Sequence, residues 1–244
     1  MTNIDKDAAL ARIRSNIEAY RYHLYVVRGA QCPRLAYTIG VSEMRGAELI
    51  LAGAAIYSND EVRRVIDAFV SSGDAARLGA EPTEVDSLGT FSLREVHGSW
   101  ARVLILGAVD YYKSVDIPAI QIVPDKDHWT IDVPDLSRPH SPQSEPVWRW
   151  LTEPWEYTVP EGSTAITNLD ALRGQRVTEA ARWELDEWEL FAGAGPDVSE
   201  EDSRRVGLGT LLAADPSLRP VTALAVGKAL WRGSTDLQWQ DWGK

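Results

Sequence analysis

The sequence has few of the residues that usually identify a reaction. Its 244 residues contain one cysteine and four histidines. A single cysteine, Cys32, excludes a disulfide within the chain and a metal site built on several thiolates, which fits a reducing compartment. Cys32 precedes Pro33 in a predicted loop, and His23 is the base on the neighbouring segment. This setting favours an incidental thiol over a catalytic nucleophile.

Long apolar runs are also missing. No stretch approaches the roughly 18 consecutive apolar residues that a membrane-spanning helix requires, and the longest, residues 48–57, suits a buried strand. The opening residues 1–7 contain neither the basic nor the apolar region of a secretory signal. We therefore expect a cytoplasmic protein with no membrane partner.

Positive charge is scarce, and the formal net charge is −11. Because nucleic-acid binding depends on clustered Lys and Arg, DNA or RNA is not expected as the main partner. Residues 1–128 carry 17 acidic and 14 basic side chains, whereas residues 129–244 carry 19 and 11. Nine of the ten tryptophans lie at or after Trp129. Acidity and tryptophan are thus both concentrated in the C-terminal half.

The motifs of common catalytic and cofactor sites do not occur. The chain has no Gly-rich phosphate loop after a predicted strand, no closely spaced histidine pair and no Gly-x-Ser-x-Gly elbow. His128 follows Asp125 and Asp127, a pattern more typical of a turn than of a metal site. Glu187 and Glu189 would share one face of a strand, which favours a solvated strand face over a glycosidase pair. We predict neither a metal nor a cofactor.

Apolar periodicity and breaker residues divide the chain into two modules joined by a connection. In residues 1–131 several predicted strands follow one another, so strands and helices do not alternate regularly. Two main helices are predicted, and a Ser58–Glu61 capping box begins the second. This order indicates an α+β fold with a mostly antiparallel sheet and one or two packed helices. The predicted strands of this module are residues 23–27, 35–40, 48–51, 91–96, 102–106 and 119–123.

The connection, residues 132–162, carries six prolines. Prolines break helices and sheet ladders, but a free linker rarely contains three tryptophans, here Trp148, Trp150 and Trp155. We expect its middle to pack against one or both modules. Residues 163–244 form the second small α+β module. Two of its predicted extended segments, 165–167 and 176–178, flank a turn. The others are a strand within 181–191, a helix within 208–218, and strands at 229–232 and 237–239.

Four features of the N-terminal module point to a known family. They are Tyr22-His23 after the first helix, the strand Tyr37-Thr-Ile-Gly40, the strand start Glu48-Leu49, and Gln121 in the late strand. With these features the module resembles the bacterial family called domain of unknown function 4262, although Ala47 replaces a proline of the family pattern. The resemblance covers roughly residues 5–130 and implies no activity.

The tail carries a second set of features. They are Trp188-Glu-Leu-Phe-Ala-Gly193, the acidic loop after it, Leu211-Leu-Ala-Ala-Asp-Pro216 and Gly227-x-Ala-x-x-Arg232. Over about residues 164–242 the tail is similar to domain of unknown function 2185, which is similar to immunity proteins of polymorphic toxin systems. Leu185-Asp186-Glu187 stands where that family begins with Asp-Ser-Gly.

The first functional hypothesis is a protein-binding, immunity- or antitoxin-like module that caps a basic toxin or another protein partner. An acidic surface with tryptophan is typical of a face that binds a basic protein. The residues expected to contact the partner are Asp197, Glu200, Glu201 and Asp202, with Trp188 as an anchor.

The alternative hypothesis is an enzyme or small-ligand-binding protein. Its site would lie in the N-terminal module around His23, Tyr37 and Gln121, on strands whose polar groups could converge. A pocket at these residues would favour this alternative, whereas a solidly packed module would count against it.

Overall fold

Two mixed sheets dominate the architecture, and each has six strands in the part of the chain that the structure describes. The structure is a computed structural model, and it describes residues 3–27, 31–72, 78–193, 198–236 and 238–242. Each sheet has one parallel pair of strands among otherwise antiparallel neighbours. The predicted α+β fold with mostly antiparallel sheets is therefore confirmed.

The first sheet has the order β1-β2-β3-β6-β5-β4. Its strands pair antiparallel except for β3 with β6. The strands are β1 (His23–Val27), β2 (Leu35–Ile39), β3 (Glu48–Ala52), β4 (Thr83–Val85), β5 (Gly89–Glu95) and β6 (Ala119–Pro124).

Helices cover both faces of the first sheet, because its central strands alternate apolar side chains toward two separate cores. One core contains Tyr37 and Ile50 and the other contains Ala36 and Leu49. The helices are α1 (Asn3–Tyr20), α2 (Val41–Arg45), α3 (Asn59–Ser71), α4 (Gly98–Leu104) and α5 (Leu106–Tyr112). The number of helices exceeds the one or two expected.

Helix α3 forms where its local sequence predicts it. The Ser58 hydroxyl accepts a hydrogen bond from the Glu61 amide at 3.2 Å, and the Glu61 carboxylate accepts one from the Ser58 amide at 2.7 Å. This capping box satisfies amides that the first helical turn would otherwise leave without partners. The apolar face of the helix is buried against the sheet through Val62, Val65, Ile66 and Phe69.

The predicted strand at 102–106 is wrong, since this segment is helical. Helix α4 begins after His97, whose side chain accepts a hydrogen bond from the Ser99 amide at 3.2 Å. Trp100, Ala101 and Leu104 are all buried on one side of it. Their spacing of one, three and four residues is helical. The helix therefore includes the first residues of the segment 102–106, whose apolar side chains suggested a strand.

The second sheet has the order β10-β7-β9-β8-β11-β12, with β7 and β9 parallel. A short α6 (Leu169–Leu172) and α7 (Leu208–Ala214) accompany it. Its third core contains Trp188, Leu190, Leu208, Leu211 and Leu218. The strands are β7 (Thr164–Asn168), β8 (Glu179–Arg182), β9 (Glu187–Phe191), β10 (Ser203–Gly207), β11 (Lys228–Trp231) and β12 (Gln240–Asp241).

Two predicted strand segments of the tail are displaced. The segment expected at 176–178 begins at Glu179 instead, and the last strand starts at Gln240 rather than at 237; residue 237 itself lies outside the described residues. The expected helix within 208–218 ends at Ala214, and a 3₁₀ helix (Pro216–Ala223) follows it. The sequence predicts this end at Pro216, since a proline cannot continue the hydrogen-bond ladder of the preceding turn.

The tryptophans of the connection contact both halves of the molecule. Trp148 is buried in the first core, and its indole N–H donates to the Asp132 carbonyl at 2.9 Å. Trp150 is also buried, and its N–H donates to the Gly209 carbonyl of α7 at 3.4 Å. A backbone hydrogen bond from Ile131 to the Leu172 carbonyl adds a direct link between the halves.

Asp132 is a buried carboxyl at this junction. Its carboxyl oxygens accept hydrogen bonds from the Thr130 hydroxyl at 2.5 Å and from the Ala55 amide at 3.2 Å. Burial raises the pKa of Asp132 above its ordinary value near 3.8, against the opposing effect of these hydrogen bonds and of the Arg34 charge. The folded state therefore holds the Asp132 proton more tightly than the unfolded chain does.

We expect the stability that Asp132 contributes to be present at acidic pH and to be lost as the pH rises through its raised pKa. An Asp132→Asn variant, which has no proton to lose, should gain stability relative to the unchanged protein as the pH is raised from about 4. Urea unfolding of both proteins across this range measures the difference. Parallel stability curves would contradict a raised pKa at this position.

Candidate functional site

The second sheet leaves one of its faces open. Strand β9 alternates, so that Trp188 and Leu190 enter the third core while Glu187, Glu189 and Phe191 point the opposite way and are half-buried. The pairing register places a row of residues across four strands of this open face. The row consists of Ile166, Glu189, Ala181 and Ala229.

A groove of about 470 Å³ lies on this open face. We call it the sheet groove. Its floor contains Ile166, Ala181 and Phe191, and two tryptophans, Trp183 and Trp242, line it as well. Trp183 is 50% exposed and Trp242 is 52% exposed, which is unusual for side chains with so much apolar surface.

Acidic residues accompany the apolar lining. Glu179 and Glu189 are part of the sheet groove. Val198 and Ser203, which line the groove as well, bracket a 3₁₀ helix (Glu200–Asp202) whose residues are all exposed. The Ser199 hydroxyl begins this turn by accepting a hydrogen bond from the Asp202 amide at 3.2 Å. The groove thus combines an apolar lining with an acidic turn at its edge, and Glu189 lies among the apolar residues of the row.

The residues predicted to contact a partner divide into three groups. Glu200, Glu201 and Asp202 are exposed beside the sheet groove, whereas Asp197 lies outside the described residues. Trp188 is completely buried, with the Arg182 guanidinium 4.5 Å from the centre of its ring on one side. Trp188 therefore belongs to the core and is not placed to anchor a partner, because strand alternation turns it away from Glu187 and Glu189.

Sequence reasoning missed Trp183, Trp242 and Glu179 as constituents of this surface. Trp183 lies in the β8–β9 turn, and Trp242 follows the last strand. The alternation within 187–191 was visible in the sequence. The missing signal was strand pairing, which brings residues 179, 181, 183, 189 and 242 to one face. No local pattern in the sequence specifies which strands pair.

The residues of the alternative site share one face of the first sheet but are packed into its core. His23 is 4% exposed, and its Nδ1 lies 2.8 Å from the Asn16 side-chain amide. Its ring packs edge-on against Tyr25, which in turn stacks on Tyr37. Burial, assisted by the nearby Arg12 and Arg63 charges, lowers the pKa of His23, so the ring is neutral at pH 7.

Tyr37 and Gln121 have backbone partners. The Tyr37 hydroxyl accepts a hydrogen bond from the Gly107 amide at 3.1 Å, and Ile50 separates Tyr37 from Gln121 across the sheet. Gln121 donates to the Pro134 carbonyl at 2.8 Å and accepts from the Leu136 amide at 3.2 Å. Gln121 therefore fastens the start of the connection to the sheet. Nε2 of His23 has no hydrogen-bond partner among the described residues. The burial of all three side chains nevertheless counts against an open ligand site at these residues.

The family comparison agrees with the first of the two resemblances. Residues 16–129 match the family model described as domain of unknown function (DUF4262). The DUF4262 match runs from within α1 to just past β6, so it contains every strand of the first sheet. The searches of curated proteins and of solved structures found no match to the chain.

Two of the features that suggested DUF4262, the Tyr-Thr-Ile-Gly strand and the Glu48 strand start, are joined by a hydrogen-bond network in the structure. Glu48 is completely buried, and its carboxylate accepts hydrogen bonds from the Thr38 hydroxyl at 2.6 Å and the Gly40 amide at 2.9 Å. The Ser42 amide and the Tyr112 hydroxyl donate to it as well, at 3.1 and 2.6 Å. Thr38 and Gly40 of the Tyr-Thr-Ile-Gly strand therefore hold Glu48 of the next strand. In this chain these residues connect β2, β3 and α5.

Two further findings concern the described residues. None of their His, Cys, Asp and Glu side chains are gathered in groups of three or more that could hold a metal ion. Among the described helices, none combines the length and the apolar character needed to cross a membrane.

Proposed function

We propose that the chain is a protein-binding module, of an immunity- or antitoxin-like kind, whose sheet groove receives a basic surface of a partner protein such as a toxin. The observation that carries this proposal is the combination, on one uncovered sheet face, of exposed Trp183 and Trp242 with Glu179, Glu189 and the acidic turn 200–202. Two half-exposed indoles around one groove form an exposed apolar surface, and such surfaces commonly mark interaction sites.

The two kinds of residue would serve different stages of binding. Tryptophan is enriched among the residues that contribute most to the affinity of protein interfaces, because it buries a large rigid surface. Carboxylates at the rim accelerate the encounter with an oppositely charged partner and disfavour acidic competitors. The apolar floor would therefore determine how slowly the complex dissociates, and the acidic edge how quickly it forms.

The resemblance of the tail to domain of unknown function 2185 supports the same proposal. Its central segment, Trp188 to Gly193, makes up β9 and the start of the following turn, and Glu189 and Phe191 of this segment line the sheet groove. An immunity protein must cover a toxin surface, and toxins that act on nucleic acid are commonly basic. The acidity of residues 129–244 complements such a surface.

A charge reversal in the groove tests the electrostatic part of the proposal. The partner is first captured from the native host and identified by mass spectrometry, and its association rate is then measured at low and high salt. We expect a Glu189→Lys, Glu200→Lys variant to associate at least about tenfold more slowly at low salt and to lose most of the salt dependence.

The matched control reverses Glu84 and Glu95, two exposed carboxylates of the first sheet, with the same change in net charge. We expect it to slow association by less than about twofold. In the same assay a Trp183→Ala variant should raise the dissociation rate with little change in association. An acidic partner, or equal effects of the two charge reversals, would refute the proposed surface.

A further inference from the structure

A second cavity, of about 480 Å³, lies between the two sheets. We call it the junction cleft. Its walls come from both halves of the molecule, namely the segments 33–34 and 55–59 around β2 and α3, and residues of β7, β10 and α7. None of the residues that line it also lines the sheet groove. Clefts between two packed units are common positions for small-molecule sites.

Three arginines line the junction cleft, Arg34, Arg204 and Arg205, in a protein whose net charge is −11. Asp132 is the one carboxyl among the described lining residues. Its carboxyl oxygens are already engaged by Thr130 and Ala55. Arg205 is ion-paired with Glu187, which is not a lining residue. Arg34 and Arg204 are therefore the main source of positive charge in the cleft.

Arg34 and Arg204 are held in position from opposite sides of one loop. Arg34 donates to the carbonyls of Ala54 and Tyr57 at 2.7 and 2.6 Å. Arg204, from the other sheet, donates through Nε to the Ile56 carbonyl at 2.9 Å. Since both side chains are immobilised by backbone groups, an anion that binds them does not have to order them first.

The two guanidinium groups affect each other electrostatically. Burial is the main cause of the lowered pKa of Arg34. The Asp132 and Glu61 charges oppose this effect, and the Arg204 charge adds to it. Two like charges that are partly removed from water form a favourable site for a multiply charged anion. Guanidinium groups also match the oxygen geometry of phosphate, to which they donate paired hydrogen bonds.

Two buried polar atoms of the cleft residues have no hydrogen-bond partner among the residues that the structure describes. They are Nε of Arg34 and the hydroxyl oxygen of Thr210. Thr210 is 1% exposed and lies at the start of α7. Buried polar atoms without partners are rare because each costs free energy, and an unbound ligand is one recognised reason for them.

We propose that the junction cleft binds a small molecule through a phosphate group held by Arg34 and Arg204, with Thr210 as an additional hydrogen-bonding group. Arg205 lies at the side of the site, where Glu187 and Thr164 already hold its guanidinium group. Pro33 and Val206 provide apolar surface for the rest of the ligand. The cleft volume falls within the usual range of small-molecule sites, roughly 300–1,000 Å³, and exceeds what a phosphate ion alone would fill. This site is independent of the sheet groove.

Matched ligands test the chemical class. The full chain is titrated with inorganic phosphate, glucose 6-phosphate, glucose and glucuronate, and binding is followed by calorimetry and by the thermal midpoint. We expect both phosphates to bind with dissociation constants below roughly 10 mM and to raise the midpoint. Glucose should not bind, and glucuronate should bind at least about tenfold more weakly than glucose 6-phosphate. Failure of both phosphates, or equal binding of the carboxylate, would overturn the proposal.

Variants locate the site. Arg204→Gln should weaken phosphate binding at least about tenfold, whereas Arg138→Gln, at an arginine 82% exposed elsewhere, should change it less than twofold. Because Arg204 also ties the loop at 54–57, Thr210→Val provides a second measurement. It removes an unpartnered buried hydroxyl with little change in shape, so it should leave the thermal midpoint unchanged or raised while weakening phosphate binding. Unchanged binding in both variants would place the phosphate elsewhere.

Discussion

Replacing Gly53 with alanine is expected to lower the free energy of unfolding by about 3 kcal/mol or more. Gly53 follows β3 with φ at +71°, a conformation that costs an alanine about 1–2 kcal/mol. A Cβ at this position would also overlap the Asp132 carbonyl. That carbonyl accepts the Trp148 indole hydrogen bond, and the Gly53 amide donates to the Arg34 carbonyl at 2.8 Å. The backbone at 53 and 132 therefore cannot separate without breaking the junction.

Gly46 supplies the control, because it has a similar positive φ of +82° but open space where a Cβ would stand. Gly46→Ala should cost only about 1 kcal/mol, through backbone conformation alone. Urea unfolding of both variants measures the two costs. A Gly53→Ala variant as stable as Gly46→Ala would mean that the close approach of residues 53 and 132 does not contribute to stability.

Replacing Glu48 with alanine is expected to cost about 3–5 kcal/mol. The substitution removes an acceptor on which four donors converge inside a completely buried site. The Tyr112 and Thr38 hydroxyls would lose their carboxylate acceptor, and the Gly40 amide would keep only the Tyr112 hydroxyl at 2.8 Å. The cost arises from the unsatisfied donors more than from the lost attraction, so it should exceed that of a typical surface substitution several-fold.

Glu43, an exposed residue of the neighbouring α2, provides the comparison. Glu43→Ala should change stability by no more than about 0.5 kcal/mol. Chemical denaturation of the two variants gives the difference directly. If Glu48→Ala costs as little as Glu43→Ala, the hydrogen-bond network that links the strands of the DUF4262 segment is not a main source of its stability.

These predictions also separate the residues that maintain the fold from those that would bind a partner or a ligand. Gly53 and Glu48 lie in the first half of the chain, and replacing either residue should lower the free energy of unfolding. Glu189 and Glu200 lie at an uncovered surface, where charge reversal should leave folding nearly unchanged. A partner-binding defect without a stability defect is therefore the signature expected for the sheet groove.

Local signals in the sequence determined several parts of this protein. The capping box of Ser58 and Glu61 and the apolar positions after it predict α3, because both are set within a few residues of the chain. The Tyr22-His23 pair, the Tyr-Thr-Ile-Gly strand, the Glu48 strand start and Gln121 suggested DUF4262, and residues 16–129 match it. The uneven distribution of acidic residues and tryptophans could likewise be counted directly.

Tertiary structure alone decided which of those residues meet. Trp188 and Trp183 are similar in sequence context, yet one is fully buried and the other is half exposed. Trp188 lies on the core-facing side of β9, whereas Trp183 lies in the turn between β8 and β9. Arg34 and Arg204 are 170 positions apart and converge on one loop only because the two sheets pack together. Strand pairing and sheet packing depend on the whole chain, so the groove and the cleft could not be deduced from any local pattern.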